Sequence, residues 1–184
     1  VVQQEARGYF TTAGESFDII QVPPGGAFGA SGAGLHAAQE STLYTVESLT
    51  TILDRLNERG LLSLTAWSRT PPRDGLRLFN LARAALERTG RNPETRLAMF
   101  RSWVTVTVLA SRTPLSRTDR NAIRRFCKAR SMDLCYLPDI RPDEVNRFHV
   151  LDRPIYYEAA RDLLGPERGQ LLEEYLFRLE APTD

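Results

Sequence analysis

The stretch that most constrains the fold runs from Phe17 to Gly34. Phe17-Asp18-Ile19-Ile20-Gln21-Val22 is a short apolar run with β-branched residues, and it reads as a buried strand. Pro23 and Pro24 end it, because proline cannot donate to a sheet ladder. Of the ten residues from Gly25 to Gly34, five are glycine and none is Lys or Arg. A helical pattern follows. A strand that empties into a glycine-rich loop and then a helix is the α/β arrangement that places ligands at the carboxyl ends of strands. The loop lacks the Gly-Lys-Ser/Thr ending of a P-loop. It reads as a lid or a connection, and its glycine content predicts the most mobile internal segment of the chain.

The rest of the chain continues the alternation. Leu43, Val46, Leu49, Ile52, Leu53 and Leu56 form one helical face within residues 39–59. Ser41 or Thr45 caps that helix, and Gly60 ends it at a C′ position. Gly60 to Trp67 is a second strand, running into Ser68-Arg69-Thr70-Pro71-Pro72-Arg73, a loop expected on the same sheet edge. Asp74 to Thr89 is a helix stopped by Gly90. Residues 97–110 contain a third strand, clearest at Trp103-Val104-Thr105-Val106-Thr107-Val108-Leu109. Ser116 caps a helix from Arg117 to Ser131 with Ile123, Phe126 and Cys127 inward. Asp133 to Leu137 is a fourth strand, followed by helices near 144–148, 156–164 and 166–177. Residues 1–10 read as the tail of a strand and a short helical turn. This order predicts one α/β domain over 1–184, with a mainly parallel sheet and right-handed crossovers.

Composition narrows the classes. Apolar residues make up 42% and charged residues 26%, the balance of a globular domain. The net charge of +1 supplies no overall field to draw nucleic acid or an anionic membrane. Arg73, Arg77 and the Arg124-Arg125 pair read as solvated helix faces. No apolar run approaches the roughly 20 residues of a membrane helix, and the start has no signal-peptide pattern. Cys127 and Cys135 read as two half-buried apolar thiols, weighed against a redox pair or metal ligands. His36 and His149 are too few and too far apart to suggest a metal site.

Four segments together resemble successive motifs of the spermidine synthase-like family. They are Glu5-Ala6-Arg7-Gly8-Tyr9-Phe10, Phe17-Asp18-Ile19-Ile20, Leu43-Tyr44-Thr45-Val46-Glu47 and Leu56-Asn57-Glu58-Arg59-Gly60-Leu61-Leu62. Asn146-Arg147-Phe148-His149-Val150-Leu151-Asp152 is similar to bacterial members joined to a membrane segment. The resemblance implies a Rossmann-like methyltransferase fold: three layers and a mainly parallel sheet with an antiparallel strand near its end. It also implies that the chain enters at about the third strand, so that the domain is incomplete at its amino-terminal side. No cofactor is required by this chain alone. S-adenosylmethionine or its decarboxylated form is the ligand implied for an intact parent, a transferase of the aminopropyl or methyl class. The implied partners are a small-molecule ligand, a homodimer mate and a membrane segment outside this chain, with no nucleic acid. The implied location is cytoplasmic.

The family's site residues carry over position by position. Glu5 and Ala6 fall where an acidic residue and its neighbour meet the nucleoside of the ligand, and Glu5 could equally be a solvated charge. Gln21, Val22 and Pro23 fall at the ligand-facing strand end, where aminopropyl transfer uses an aspartate as base. Glutamine is neutral and a poor base, and no carboxylate recurs until Glu40 and Glu47. Gln21 therefore reads either as a non-titrating ligand contact or as a strand-end group bonded to backbone. Tyr44 stands beside it as the second catalytic candidate, with a core ring as its alternative. Trp67 and Arg69 could border the same cleft, with a core position as the alternative for Trp67. The competing function is a non-catalytic ligand-sensing or scaffold module of a larger protein.

Overall fold

The computed structural model describes residues 5–12, 14–24 and 43–184. Expectations that fall elsewhere, namely the strand tail before Glu5, the glycine loop, His36, Glu40 and a cap at Ser41, lie outside the described residues.

Helix α1 (Ala6–Thr12) leads into β1 (Phe17–Val22). Helix α2 (Val46–Asp54) precedes β2 (Leu56–Trp67), and α3 (Asp74–Arg88) precedes a 3-10 turn at Pro93–Thr95. A hairpin of β3 (Leu97–Arg101) and β4 (Thr105–Ser111) follows, then α4 (Arg117–Ala129) and β5 (Asp133–Tyr136). A 3-10 turn at Pro142–Glu144 leads to α5 (Ile155–Leu164) and α6 (Arg168–Glu174).

The sheet order is β1-β2-β4-β3-β5. Only β1 and β2 pair in parallel, with Gln21 opposite Ser63 and Val22 opposite Leu64. The β2–β4, β4–β3 and β3–β5 ladders are antiparallel. The expected mainly parallel sheet is thus corrected to a mixed one. Strands β1, β2 and β3 run one way, while β4 and β5 run the other. The cause is local. The single strand expected within 97–110 is two strands, because the Ser102 hydroxyl accepts from the amides of Val104 (3.2 Å) and Thr105 (3.0 Å). That closes a tight turn of the kind short hydroxyl side chains favour. Trp103 and Val104 sit on the turn and are 68% and 54% exposed.

Side-chain alternation along the strands sorts the core into two halves. Leu62, Leu64, Leu97, Met99, Val106, Val108 and Cys135 face the cluster built with α2, α3 and α5. Leu61, Ala98, Phe100, Leu109 and Leu134 face the smaller cluster under α4. This is a helix–sheet–helix arrangement of three layers, an α/β fold. Gly75 lets α3 approach β4 closely, since a Cβ there would lie 2.3 Å from Val106 Cγ1. The carboxyl-terminal segment closes the main core: Leu179 is fully buried, and its carbonyl accepts from the Asn80 amide at 2.8 Å.

Caps behave as their residue types dictate. Thr45 accepts from Ser48 N at the start of α2, and Ser116 and Asp119 form a reciprocal capping box on α4. Gly90, with φ of +70°, follows the end of α3. Gly60 is not the helix stop expected of it. Helix α2 ends at Asp54 with Arg55 as its cap, and β2 starts at Leu56, four residues early. A Cβ at Gly60 would lie 2.8 Å from the Phe17 carbonyl oxygen, so the glycine admits β1. Residues 144–148 form no helix, because Asn146 adopts φ of +54°. The last helix is shorter than expected, starting at Arg168.

Candidate functional site

Because β1 and β2 are parallel, their carboxyl ends lie side by side. Strand β3 runs the same way, so its turn into β4 arrives at that edge, and Ser68 N donates to Val104 O at 2.7 Å. Strand β5 begins there too, with Asp133 opposite Arg101. One edge therefore collects 21–24, 67–72, 102–104 and the loop 146–149.

Two phenols hold the 68–72 loop. Tyr156 donates its hydroxyl to Arg69 O at 2.7 Å and accepts from Arg69 N at 3.1 Å, with the Ser68 hydroxyl at 3.3 Å. Tyr175 donates to Pro72 O at 2.7 Å. Burial pushes the Tyr175 phenol up to about 12, so it stays a donor across the neutral range. Arg69 also reaches Asp74 at 3.5 Å, an exposed pair that adds little stability.

Beneath the edge lies a buried ion pair. Arg101 and Asp133 are 3.3 Å apart, with side chains 5% and 1% exposed. Asp133 accepts from three successive amides, Arg147 N (2.6 Å), Phe148 N (2.8 Å) and His149 N (2.8 Å). Arg101 in turn donates to His149 O and lies over the Tyr156 ring at 5.4 Å. Reciprocal bonds between Asn146 and Leu151, both 2.8 Å, close the loop. A buried carboxylate needs such saturation of its lone pairs to be tolerated.

Gln21 is exposed, Val22 half-buried and Pro23 exposed. Gln21 and Ile19 alternate with Ile20 and so share the sheet face of their partners Ser63 and Leu61. Tyr44 is half-buried and packs against the main core, one residue before the cap of α2. Since α2 leads back into β2, its start lies toward the edge where β1 and β2 finish. Glu5 is exposed and accepts from Gly8 N at 3.0 Å, capping α1, with Ala6 exposed beside it. Trp67 is half-buried and Arg69 exposed. Topology thus groups Gln21, Val22, Pro23, Trp67 and Arg69 at one edge, while Tyr44 packs against the main core just before α2.

The carboxyl-terminal tail was not anticipated at this end. Pro182 O accepts from Val46 N at 2.9 Å, and Asp184 N donates to Glu47 at 3.1 Å. Arg7 binds Asp184, bringing the start of α1 to the same place, and its guanidinium holds the Asp184 carboxyl below the usual range. Nothing in Ala181-Pro182-Thr183-Asp184 signals this docking. Tyr156, Tyr175, Arg101 and Asp133 were also missed. A carboxylate heading an apolar strand, as in Asp133-Leu134-Cys135-Tyr136, was the available clue.

Chemically, the edge offers hydrogen bonding: the Gln21 amide, the Ser68 hydroxyl and the Arg69 guanidinium, beside the apolar Val22 and Pro23. Residues 21–24 contain no base. For a nucleoside ligand, Val22 and Pro23 supply an apolar wall. Glu5 supplies a carboxylate, one oxygen of which already serves Gly8. Cys127 and Cys135 are buried free thiols, and burial pushes Cys127 up to about 12 and Cys135 higher still, consistent with apolar filler roles. Among the described residues no group of three or more His, Cys, Asp or Glu could hold a metal, and no helix is long and apolar enough to cross a membrane.

No protein-family model matches the chain. No curated protein matches it either.

Proposed function

We propose that this chain is the carboxyl-terminal portion of a spermidine synthase-like, methyltransferase-fold domain whose parent binds an S-adenosylmethionine-type ligand. The supporting observation is the strand order: β4 runs reversed between the co-directional β2 and β3. The resemblance implies an antiparallel strand near the end of the sheet, and the reversed strands β4 and β5 are compatible with that. The parallel pair β1–β2 then presents Gln21, Val22 and Pro23 at the ligand edge, with Glu5 and Tyr44 on the elements to either side.

Aminopropyl transfer requires a base for an amine of pKa about 10. A positioned base contributes roughly 10²–10⁴-fold, and Gln21 cannot act as one. The role assigned to Gln21 is therefore to hydrogen-bond a ligand without titrating, and Tyr44 is a contact at the rim. The second reading, a non-catalytic sensing or scaffold module, is favoured by the same neutral Gln21.

The test is an assay of the full-length parent with decarboxylated S-adenosylmethionine and putrescine, paired with calorimetry. Binding without turnover is expected, and Gln21→Asp should raise turnover. Turnover at an ordinary enzymatic rate by the unmodified protein would refute the neutral-site reading. No affinity for S-adenosylmethionine or its decarboxylated form would leave only the scaffold.

A further inference from the structure

The net charge of +1 conceals a strongly basic helix. Helix α4 carries Arg117, Arg120, Arg124, Arg125 and Lys128 against Asp119 alone. Between α4 and the segment 137–144 lies an open recess of about 480 Å³, lined by charged residues and Asn121. Four guanidiniums face it, from Arg117, Arg120, Arg124 and Arg141, against two carboxylates, Asp139 and Glu144.

The carboxylates orient the arginines without using them up. Arg124 gives Nε to Glu144 at 2.7 Å, and Nη2 to Asp139 and Glu144 at 3.0 Å each. Its Nη1 has no partner among the described residues. Arg120 gives Nη1 to Leu115 O at 2.6 Å and places Nε 3.1 Å from Asp139, leaving Nη2. Arg141 engages Asp143 through Nε and Nη2, leaving Nη1; both side chains are 70% exposed, so that pair is well screened. Arg117 has neither an ion pair nor a side-chain hydrogen bond among the described residues. A guanidinium pinned along one side presents a pre-organised donor edge on the other, the geometry that suits phosphate oxygens.

We propose that this recess binds a small soluble polyanion carrying at least two linked phosphate groups. Arg117 and Arg124 are seven residues apart, about 10 Å along the helix, a spread that suits two phosphates better than one. The recess is lateral on α4, on the side of the sheet opposite α2, α3 and α5, and it shares no residue with the site at the carboxyl edge.

Calorimetry of the chain with inorganic pyrophosphate at low ionic strength should show one saturable site, tighter than for inorganic phosphate. Arg117→Gln removes a side chain that supports nothing else, so the variant folds, and binding should fall roughly tenfold. Asp139→Asn should tighten binding severalfold, because it removes a cancelling charge beside Arg120 and Arg124. An ion-pair network with only a structural role would show no such gain. Arg77→Gln, which removes an equal charge on α3, should leave affinity unchanged. Absent or non-saturable pyrophosphate binding would overturn the proposal, as would an unaltered Arg117→Gln, an Asp139→Asn that fails to tighten, or an equal loss in Arg77→Gln. Arg117-dependent binding to vesicles containing phosphatidic acid, or to a DNA duplex, without pyrophosphate binding would overturn it as well.

Discussion

The two edge strands of the sheet are treated in opposite ways. Strand β5 is buried at all four positions. Its own chain covers it: the loop 146–149 donates three amides to Asp133, Val145 bridges to Leu134, and α4 and α5 pack on either face. Strand β1 has six residues, of which only Ile20 is buried, and Ile19 is 67% exposed. Its outer edge has no strand partner among the described residues. An exposed row of unpaired backbone groups is ordinarily blunted by charge, a bulge or cover, and here Asp18 and the register shift between Phe17 and Ile19 are the only such devices in the strand. The closed edge holds a buried ion pair with its hydrogen bonds, and the open edge is where Gln21 lies. Stability and candidate function are therefore separated along the sheet.

The largest effect that would break this contrast is at the closed edge. Asp133→Ala should cost about 3–5 kcal/mol, because it strands the buried Arg101 and leaves three amides without their acceptor. A urea titration followed by circular dichroism measures it, and a loss under 1 kcal/mol would mean the cage contributes little. An intermediate effect is expected where β1 meets the rest. Gly60→Ala would press a methyl against the Phe17 carbonyl, an overpacking expected to cost about 1–3 kcal/mol. Hydrogen exchange sharpens the test: β1 amides should lose protection while those of β3 and β5 keep theirs. The smallest effect belongs to the open edge. Ile19→Ser should change stability by no more than about 0.5 kcal/mol, measured in the same titration. A larger loss would show that something covers Ile19.

Much of the element pattern was legible because it rests on local chemistry. The face Val46, Leu49, Ile52, Leu53 marks α2, and the capping box of Ser116 and Asp119 marks the start of α4. The apolar run Phe17–Val22 reads as a strand in any context. Direction was harder. Leu97 to Leu109 is rich in apolar and β-branched residues on both sides of Arg101-Ser102, so periodicity alone does not distinguish one long strand from two short ones, and a single serine hydroxyl decides it. With that turn unread, β4 was assigned to a parallel sheet. Gly60 shows the same limit: a glycine after a helical face suggests a stop, whereas this one makes room for a neighbouring strand that only the tertiary fold brings near. At the candidate site, Gln21 and its neighbours were legible as a strand end. Tyr156 and Tyr175, which hold the adjoining loop through Arg69 and Pro72, 87 and 103 positions earlier, were not, since a phenol that bonds a distant carbonyl looks in sequence like any helical aromatic.

The sequence by itself determined most of the helices and strands, though not the split of 97–110 or the irregular path of 145–148, which faces of them are apolar, and that residues 21–24 hold no base. Those properties depend on neighbours within a few positions, through side-chain periodicity and backbone sterics. Only the tertiary structure decided the order and direction of the strands, the caging of Asp133, the docking of the tail onto α2 and the gathering of arginines around the recess beside α4. Apart from the local turn at Ser102, these join residues from 14 positions apart, as Asp133 and Arg147, to 177, as Arg7 and Asp184, and their partners are selected by the packing of the whole.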